Sequence, residues 1–145
     1  MVDEKKQVPF MPGLWTVKSS GEARLAGSRC QNCEELYFPV KTTGYCPHCY
    51  AEQMQDVDLG PSGTLAAYTT VLQAPAGGFY HGSIPFSYGL VDLDEGVRVE
   101  VHLGGDPATY RVGSRMTLKI EPFYTNEQGE GVQVFRFVPV EGGAA

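Results

Sequence analysis

From residue 63 to the end of the chain, hydrophobic and polar positions alternate with a period of two, the spacing of strands that bury one face. The runs cover residues 63–72, 86–93, 97–103, 115–120 and 132–140. Turn-forming residues separate them: Gly60-Pro61-Ser62-Gly63 opens the first, Asp94-Glu95-Gly96 joins the second to the third, and Gly113 precedes the fourth. The third run alternates most cleanly, with Val97, Val99, Val101 and Leu103 expected inside and Arg98, Glu100 and His102 outside. In the fourth, Met116, Leu118 and Ile120 share a face; in the fifth, Phe135 and Phe137 oppose Val134 and Arg136. Five such strands predict a small closed or nearly closed antiparallel barrel, and the five-stranded OB-fold matches in size.

Upstream the pattern changes. Pro9, Pro12 and Gly13 interrupt the beginning, and residues 14–25 predict one or two helical turns around Trp15. The expected organisation is mainly β: an N-terminal helical arm over 1–25 that docks on the rest of the chain or on a partner, a ribbon over 26–58, the barrel over 59–140, and a flexible tail over 141–145.

The ribbon is predicted from its cysteines. Cys30, Cys33, Cys46 and Cys49 read C-x2-C-x12-C-x2-C. Two residues between paired thiols let a tight turn aim both sulfurs at one point, and two such knuckles complete a tetrahedron of the kind Zn²⁺ takes, with bonds of about 2.3 Å. Tyr37-Phe38-Pro39-Val40 reads as the strand leaving the first knuckle, and Lys41-Thr42-Thr43-Gly44 as the turn back to the second. Four protein ligands leave no open position for an activated water, so the expected site is a structural, rubredoxin-like zinc ribbon. Spacing alone does not separate zinc from a single iron, which would instead make an electron carrier.

Composition adds limits. The chain has 145 residues, 42% hydrophobic and 19% charged, the balance of one folded domain with at most a small appended module. Eighteen glycines and ten prolines suit short strands and turns better than a helical bundle. Eleven basic against seventeen acidic side chains leave a net charge of −6. That field repels phosphate backbones, so a single-strand nucleic-acid module, in which Phe79 or Tyr80 would stack on bases, is disfavoured. No apolar run has the length of a signal peptide or a membrane span. The expected location is the cytoplasm, where the thiols stay reduced and available to metal.

Beyond the cysteines, the segment with most chemical character is residues 73–85. Gly77 and Gly78 loosen it, and Phe79, Tyr80 and His81 place three rings in a row, expected to face a ligand or a partner protein. His48 and His102 read as surface histidines. With the thiols committed to metal no cysteine remains as a nucleophile. Asp92, Asp94 and Glu95 read as hairpin punctuation, and no phosphate-binding loop is present. Nothing in this set marks the chain as a catalyst by itself.

The order of ribbon and barrel, with these strings, resembles the zinc-ribbon/OB-fold acyl-CoA-associated proteins that accompany thiolases and related enzymes. Arg29-Cys30-Gln31-Asn32-Cys33 followed by Phe38-Pro39 is similar to that family's first knuckle and exit strand, and Tyr45-Cys46-Pro47-His48-Cys49 to its second. Residues 63–71 resemble its first barrel strand and residues 85–98 its central hairpin, so the likeness spans roughly residues 14–139. Two features depart from it. Glu34 and Tyr50 stand where the family often has glycine after the knuckle, and the segment from Val40 to Tyr45 is longer than usual. The resemblance implies a small non-catalytic subunit whose thiolase-like or lipid-transfer-protein-like partner supplies the catalytic cysteines and histidines. It also implies coenzyme A or acyl-CoA at the interface, with Arg24, Arg29 and Lys41 as the nearest cations for its phosphates. Within the family, the strings are most similar to the branch serving thiolases of aromatic degradation.

Overall fold

The computed structural model describes residues 6–41, 44–78 and 82–140. Phe79, Tyr80 and His81, the tail over 141–145 and the first five residues lie outside the described residues. Ten strands are formed among the described residues: β1 (Gln7–Pro9), β2 (Trp15–Val17), β3 (Ala23–Cys30), β4 (Leu36–Tyr37), β5 (Met54–Leu59), β6 (Ser62–Val71), β7 (Phe86–Leu93), β8 (Arg98–Leu103), β9 (Arg115–Thr125) and β10 (Gly131–Pro139). A single 3-10 turn at Pro107–Thr109 is the only helical element among the described residues.

Strands β6 to β10 close into a five-stranded barrel in the order β6-β7-β8-β10-β9 and back to β6. All pairs are antiparallel except β8 with β10, which meet in parallel at Arg136–His102 and Phe137–Leu103. This is the OB arrangement expected from the alternation. Leu65, Val91, Val99, Val101, Leu103, Met116 and Phe137 fill the interior, each at most 5% exposed. Gly89 is required where β6 bulges between Leu65 and Ala67, because a Cβ there would run into the Ala67 carbonyl.

Closure between β6 and β9 is short. It involves only residues 62–64 of β6, extended by the Leu65 N–H to the Ser114 carbonyl at 3.0 Å and the Gly113 N–H to the Leu65 carbonyl at 2.8 Å. Beyond Leu65, β6 pairs with β7 alone among the described residues. Among the described residues its other edge has no strand partner, and Tyr68 on that strand and Leu72 just past its end are exposed.

The second sheet is the ribbon. β3 is its centre, flanked on one side by β5 and on the other by β2 and then β4, all antiparallel. Gly27 sits where these strands crowd: a Cβ there would clash with Leu59 and with the Tyr37 carbonyl.

The N-terminal helical arm is not formed, which corrects the sequence expectation. Trp15, Thr16 and Val17 pair instead with Leu25, Arg24 and Ala23 as a hairpin. Its turn is closed by the Gly21 N–H to the Lys18 carbonyl and the Lys18 N–H to the Glu22 carbonyl, both 2.8 Å. The aromatic and β-branched residues of β2 favour extended backbone. Gly21, at φ +89°, takes a conformation that ends a helix and suits a tight turn. β1 runs parallel to β10 over Gln7–Pro9 and Gly131–Gln133.

The two sheets share one core. Leu14, Leu25 and Leu59 from the base of the ribbon belong to the same buried cluster as the barrel interior. The junction is aromatic. Phe135 of β10 lies 6.0 Å from Trp15, 6.4 Å from Phe10 and 5.8 Å edge-on from Phe38, centroid to centroid. The knuckles are therefore the far end of strands whose near end is anchored in the barrel.

Candidate metal centre and the surfaces around it

Each knuckle begins where a strand or loop delivers its first cysteine and then turns back. In the first, the Glu34 N–H donates to the Cys30 carbonyl and the Cys30 N–H to the Glu35 carbonyl, at 2.8 and 2.9 Å. In the second, Tyr50 and Cys46 repeat the pattern, with Tyr50 N–H to the Cys46 carbonyl at 2.7 Å and Cys46 N–H to the Ala51 carbonyl at 2.9 Å. The residue after each second cysteine is left-handed: Glu34 at φ +68° and Tyr50 at φ +65°. These are the positions where the family resemblance leads one to expect glycine. Side chains there cost roughly 1 kcal/mol each. Glu34 gains a bond from Arg29 at 2.8 Å.

The two turns bring all four sulfurs within 4.8 Å of one another. Cys30 and Cys49 are 3.6 Å apart, as are Cys33 and Cys46. A tetrahedral ion with metal–sulfur bonds of about 2.3 Å requires sulfurs about 3.8 Å apart, so these four cysteines can hold a metal ion. Cys30 and Cys46 are buried, and Cys33 and Cys49 are partly exposed.

Their protonation explains why a cation suits the site. Burial raises the Cys46 thiol pKa, but hydrogen bonds from Tyr37, the backbone of Cys49 and His48, and Cys33 outweigh it and bring the value to about 6. The Glu35 backbone bond lowers Cys33, yet burial and its three sulfur neighbours prevail and push it up to about 12. Four thiols this close ionise together only when a cation compensates their charge.

Two further side chains reach the cluster, and spacing gave no sign of either. The Tyr37 hydroxyl lies 3.2 Å from the Cys46 sulfur, and the Asn32 amide donates to the Cys49 sulfur at 3.4 Å. The hydrogen bond with Cys46 pushes the Tyr37 phenol up to about 12, helped by burial.

The three cations suggested for coenzyme A each have a local partner. Arg29 pairs with Glu34, Arg24 pairs with Glu22 at 3.0 Å, and the Lys41 ammonium sits 5.2 Å from the centre of the Tyr37 ring. Arg24 and Arg29 are five residues apart on β3 and so project to opposite faces. Arg24 borders a cleft of about 500 Å³ between the β2–β3 hairpin and β9, which Lys119 and Gln133 also line. His48 is exposed, as expected.

His102 departs from the surface reading. It is on the outer face of β8, but its ring stacks on Phe86 at 5.3 Å and meets Phe123 edge-on at 6.2 Å. Arg136, its register partner on β10, lies over the Phe123 ring at 5.9 Å. Burial, with the Arg136 charge adding to it, holds the imidazole below its ordinary pKa. The unfolded chain then binds more protons than the folded one between that lowered value and about 6.5, so stability is lost as pH falls through this window. Denaturant midpoints at pH 7.5 and 5.5 should drop more for the native chain than for His102→Gln; equal drops would remove His102 from the acid response.

Residues 56–121 match the family model for the ChsH2 C-terminal OB-fold domain. The chain is 30% identical over 129 residues to the benzoylsuccinyl-CoA thiolase subunit BbsA of Thauera aromatica, covering 88% of this chain and 85% of that protein. It is 28% identical over 119 residues to a DUF35 domain-containing scaffold protein of Methanocaldococcus jannaschii, covering 81% and 72%. Among solved structures it is similar to the Ltp2-ChsH2(DUF35) aldolase, with a TM-score of 0.60 at 26% identity over 80% of this chain and 84% of that one.

Proposed function

Because this chain belongs to the family that holds the thiolase subunit BbsA and the DUF35 scaffold proteins, we propose that it is the small, zinc-bearing, non-catalytic subunit of a thiolase-type complex. The reaction would make or break a carbon–carbon bond beside a coenzyme A thioester. The observation that carries this reading is the near full-length match to a named thiolase subunit, which takes in ribbon and barrel together. Naming of the related aldolase as a two-protein assembly points the same way.

The local chemistry supports the division of labour. A tetrathiolate centre uses all four cysteines of the chain, leaving no thiol here to accept an acyl group. That step falls to the partner. Zinc, when bound, supplies a closed and redox-inert cross-link. The ribbon's own strands carry that rigidity into the barrel through the shared core, so the molecule presents one stiff surface. Four free thiols agree with a reducing cytoplasm. For acyl-CoA at the interface, Arg24 beside its cleft with Lys119 is the best placed of the candidate cations.

A tagged chain recovered from native extract tests the proposal. The expected result is a thiolase-like subunit in stoichiometric amount, coenzyme-A-dependent thiolysis in the eluate, and loss of that activity when this chain is stripped away. A partner whose activity is indifferent to this chain, or a monomer without one, would overturn it. Metal analysis of the same sample should give one zinc per chain and no visible colour, whereas iron on four thiolates absorbs strongly.

A further inference from the structure

The side-chain donors that reach the sulfur cluster are distributed unevenly. Tyr37 and Asn32 both come from the first half of the ribbon, yet both address sulfurs of the second knuckle, Cys46 and Cys49 respectively. Each therefore ties one knuckle to the other independently of any ion. Neither geometry is accidental. Tyr37 is held in β4 by its register with Ser28, and the Lys41 backbone N–H donates to the Ser28 hydroxyl at 2.9 Å. That places the Lys41 ammonium against the Tyr37 ring. A cation at the ring face draws electron density from it and makes the phenol a better donor. Asn32 sits between the two cysteines of the first knuckle, and that turn aims its amide across the cluster.

Four thiolates around a divalent ion leave a net charge of −2, which hydrogen-bond donors offset, most of all at the buried Cys46 where water does not reach. We infer that Tyr37 and Asn32 are positioning residues for the metal, fixing the second-knuckle thiolates and offsetting the excess negative charge of the tetrathiolate so that the ion is retained. This rests on the reading that the four sulfurs take a metal.

The test uses the full chain as Tyr37→Phe, Asn32→Ala and both together, loaded with Co²⁺ or Zn²⁺. Tyr37→Phe keeps the ring and its packing; Asn32→Ala changes an exposed side chain outside every strand. Each single change should weaken metal affinity by roughly 10–100-fold and speed transfer to a chelator. The double variant should show the product of the two effects, because different sulfurs are involved. In the cobalt form, removing a hydrogen bond from a thiolate should move the sulfur-to-metal charge-transfer band to longer wavelength, a shift that a purely structural role would not cause. Unchanged band position and release rate in variants that bind cobalt overturn the inference alone. A native chain that takes up no metal overturns the metal reading, and this inference with it.

Discussion

Cys46→Ser should release the metal and disorder the ribbon beyond the middle of β3. Cys46 is fully buried, accepts from Tyr37, and lies 3.6 Å from Cys33. A hydroxyl is a poor ligand at that position and leaves three thiolates to hold the ion. Structural zinc in small ribbons contributes on the order of 10–16 kcal/mol, so losing one ligand in four should cost several kcal/mol, or at least about a hundredfold in affinity. Metal content should fall from one ion per chain to none after dialysis against a weak chelator. Protease should then cut within residues 31–53, where backbone order depends on the knuckles more than on the core. A stoichiometric ion and an unchanged melting curve in Cys46→Ser would end the structural-metal account.

Phe135→Ala should be among the most damaging changes away from the cysteines. The side chain is 7% exposed and meets Phe10, Trp15 and Phe38, drawing on the N-terminal segment, β2 and the ribbon at once. Truncating a buried phenylalanine costs about 3–5 kcal/mol, a large share of the roughly 5–15 kcal/mol that holds a domain together. Trp15 is the only tryptophan and lies against this ring, so its emission reports the junction directly. Denaturation should show a lowered midpoint and a red-shifted folded baseline. Partner binding should weaken further than stability alone explains, because ribbon and barrel would no longer be held at a fixed angle. A loss below about 1 kcal/mol would mean the junction contributes little beyond filling space.

The barrel was legible in the sequence because each of its strands buries one face, and a period of two records that directly. Val99, Val101 and Leu103 are buried and Arg98 and Glu100 exposed, as the alternation requires. The sulfur cluster was legible because two cysteines in a knuckle are set by local turn geometry. What escaped notice was set by partners distant in sequence. His102 reads as polar and outward until Phe86 from the adjacent β7 and Phe123 from β9, one strand beyond β10, arrive to cover it. Tyr37 and Asn32 reach sulfurs nine and seventeen residues away across the fold. β2 is only three residues long, too short to display a period, and its apolar residues fit a helical turn equally well. Pairing with β3 decided between the two.

The incomplete seam of the barrel matters for handling the protein. Residues 66–72 form an uncharged run, Ala-Ala-Tyr-Thr-Thr-Val-Leu, whose outer main chain finds no strand to pair with among the described residues. Closed barrels ordinarily escape the sticking of exposed sheet margins, and open sheets guard them with lysine, proline or a bulge turned outward. Here the bulge falls at the very start of the run, at Ala66, and no charge interrupts the rest. Concentrated solutions of the isolated chain should therefore show sheet-to-sheet growth from this margin, which light scattering against concentration would detect. A lysine in place of Thr69, which is exposed, is the simplest way to keep the preparation dispersed.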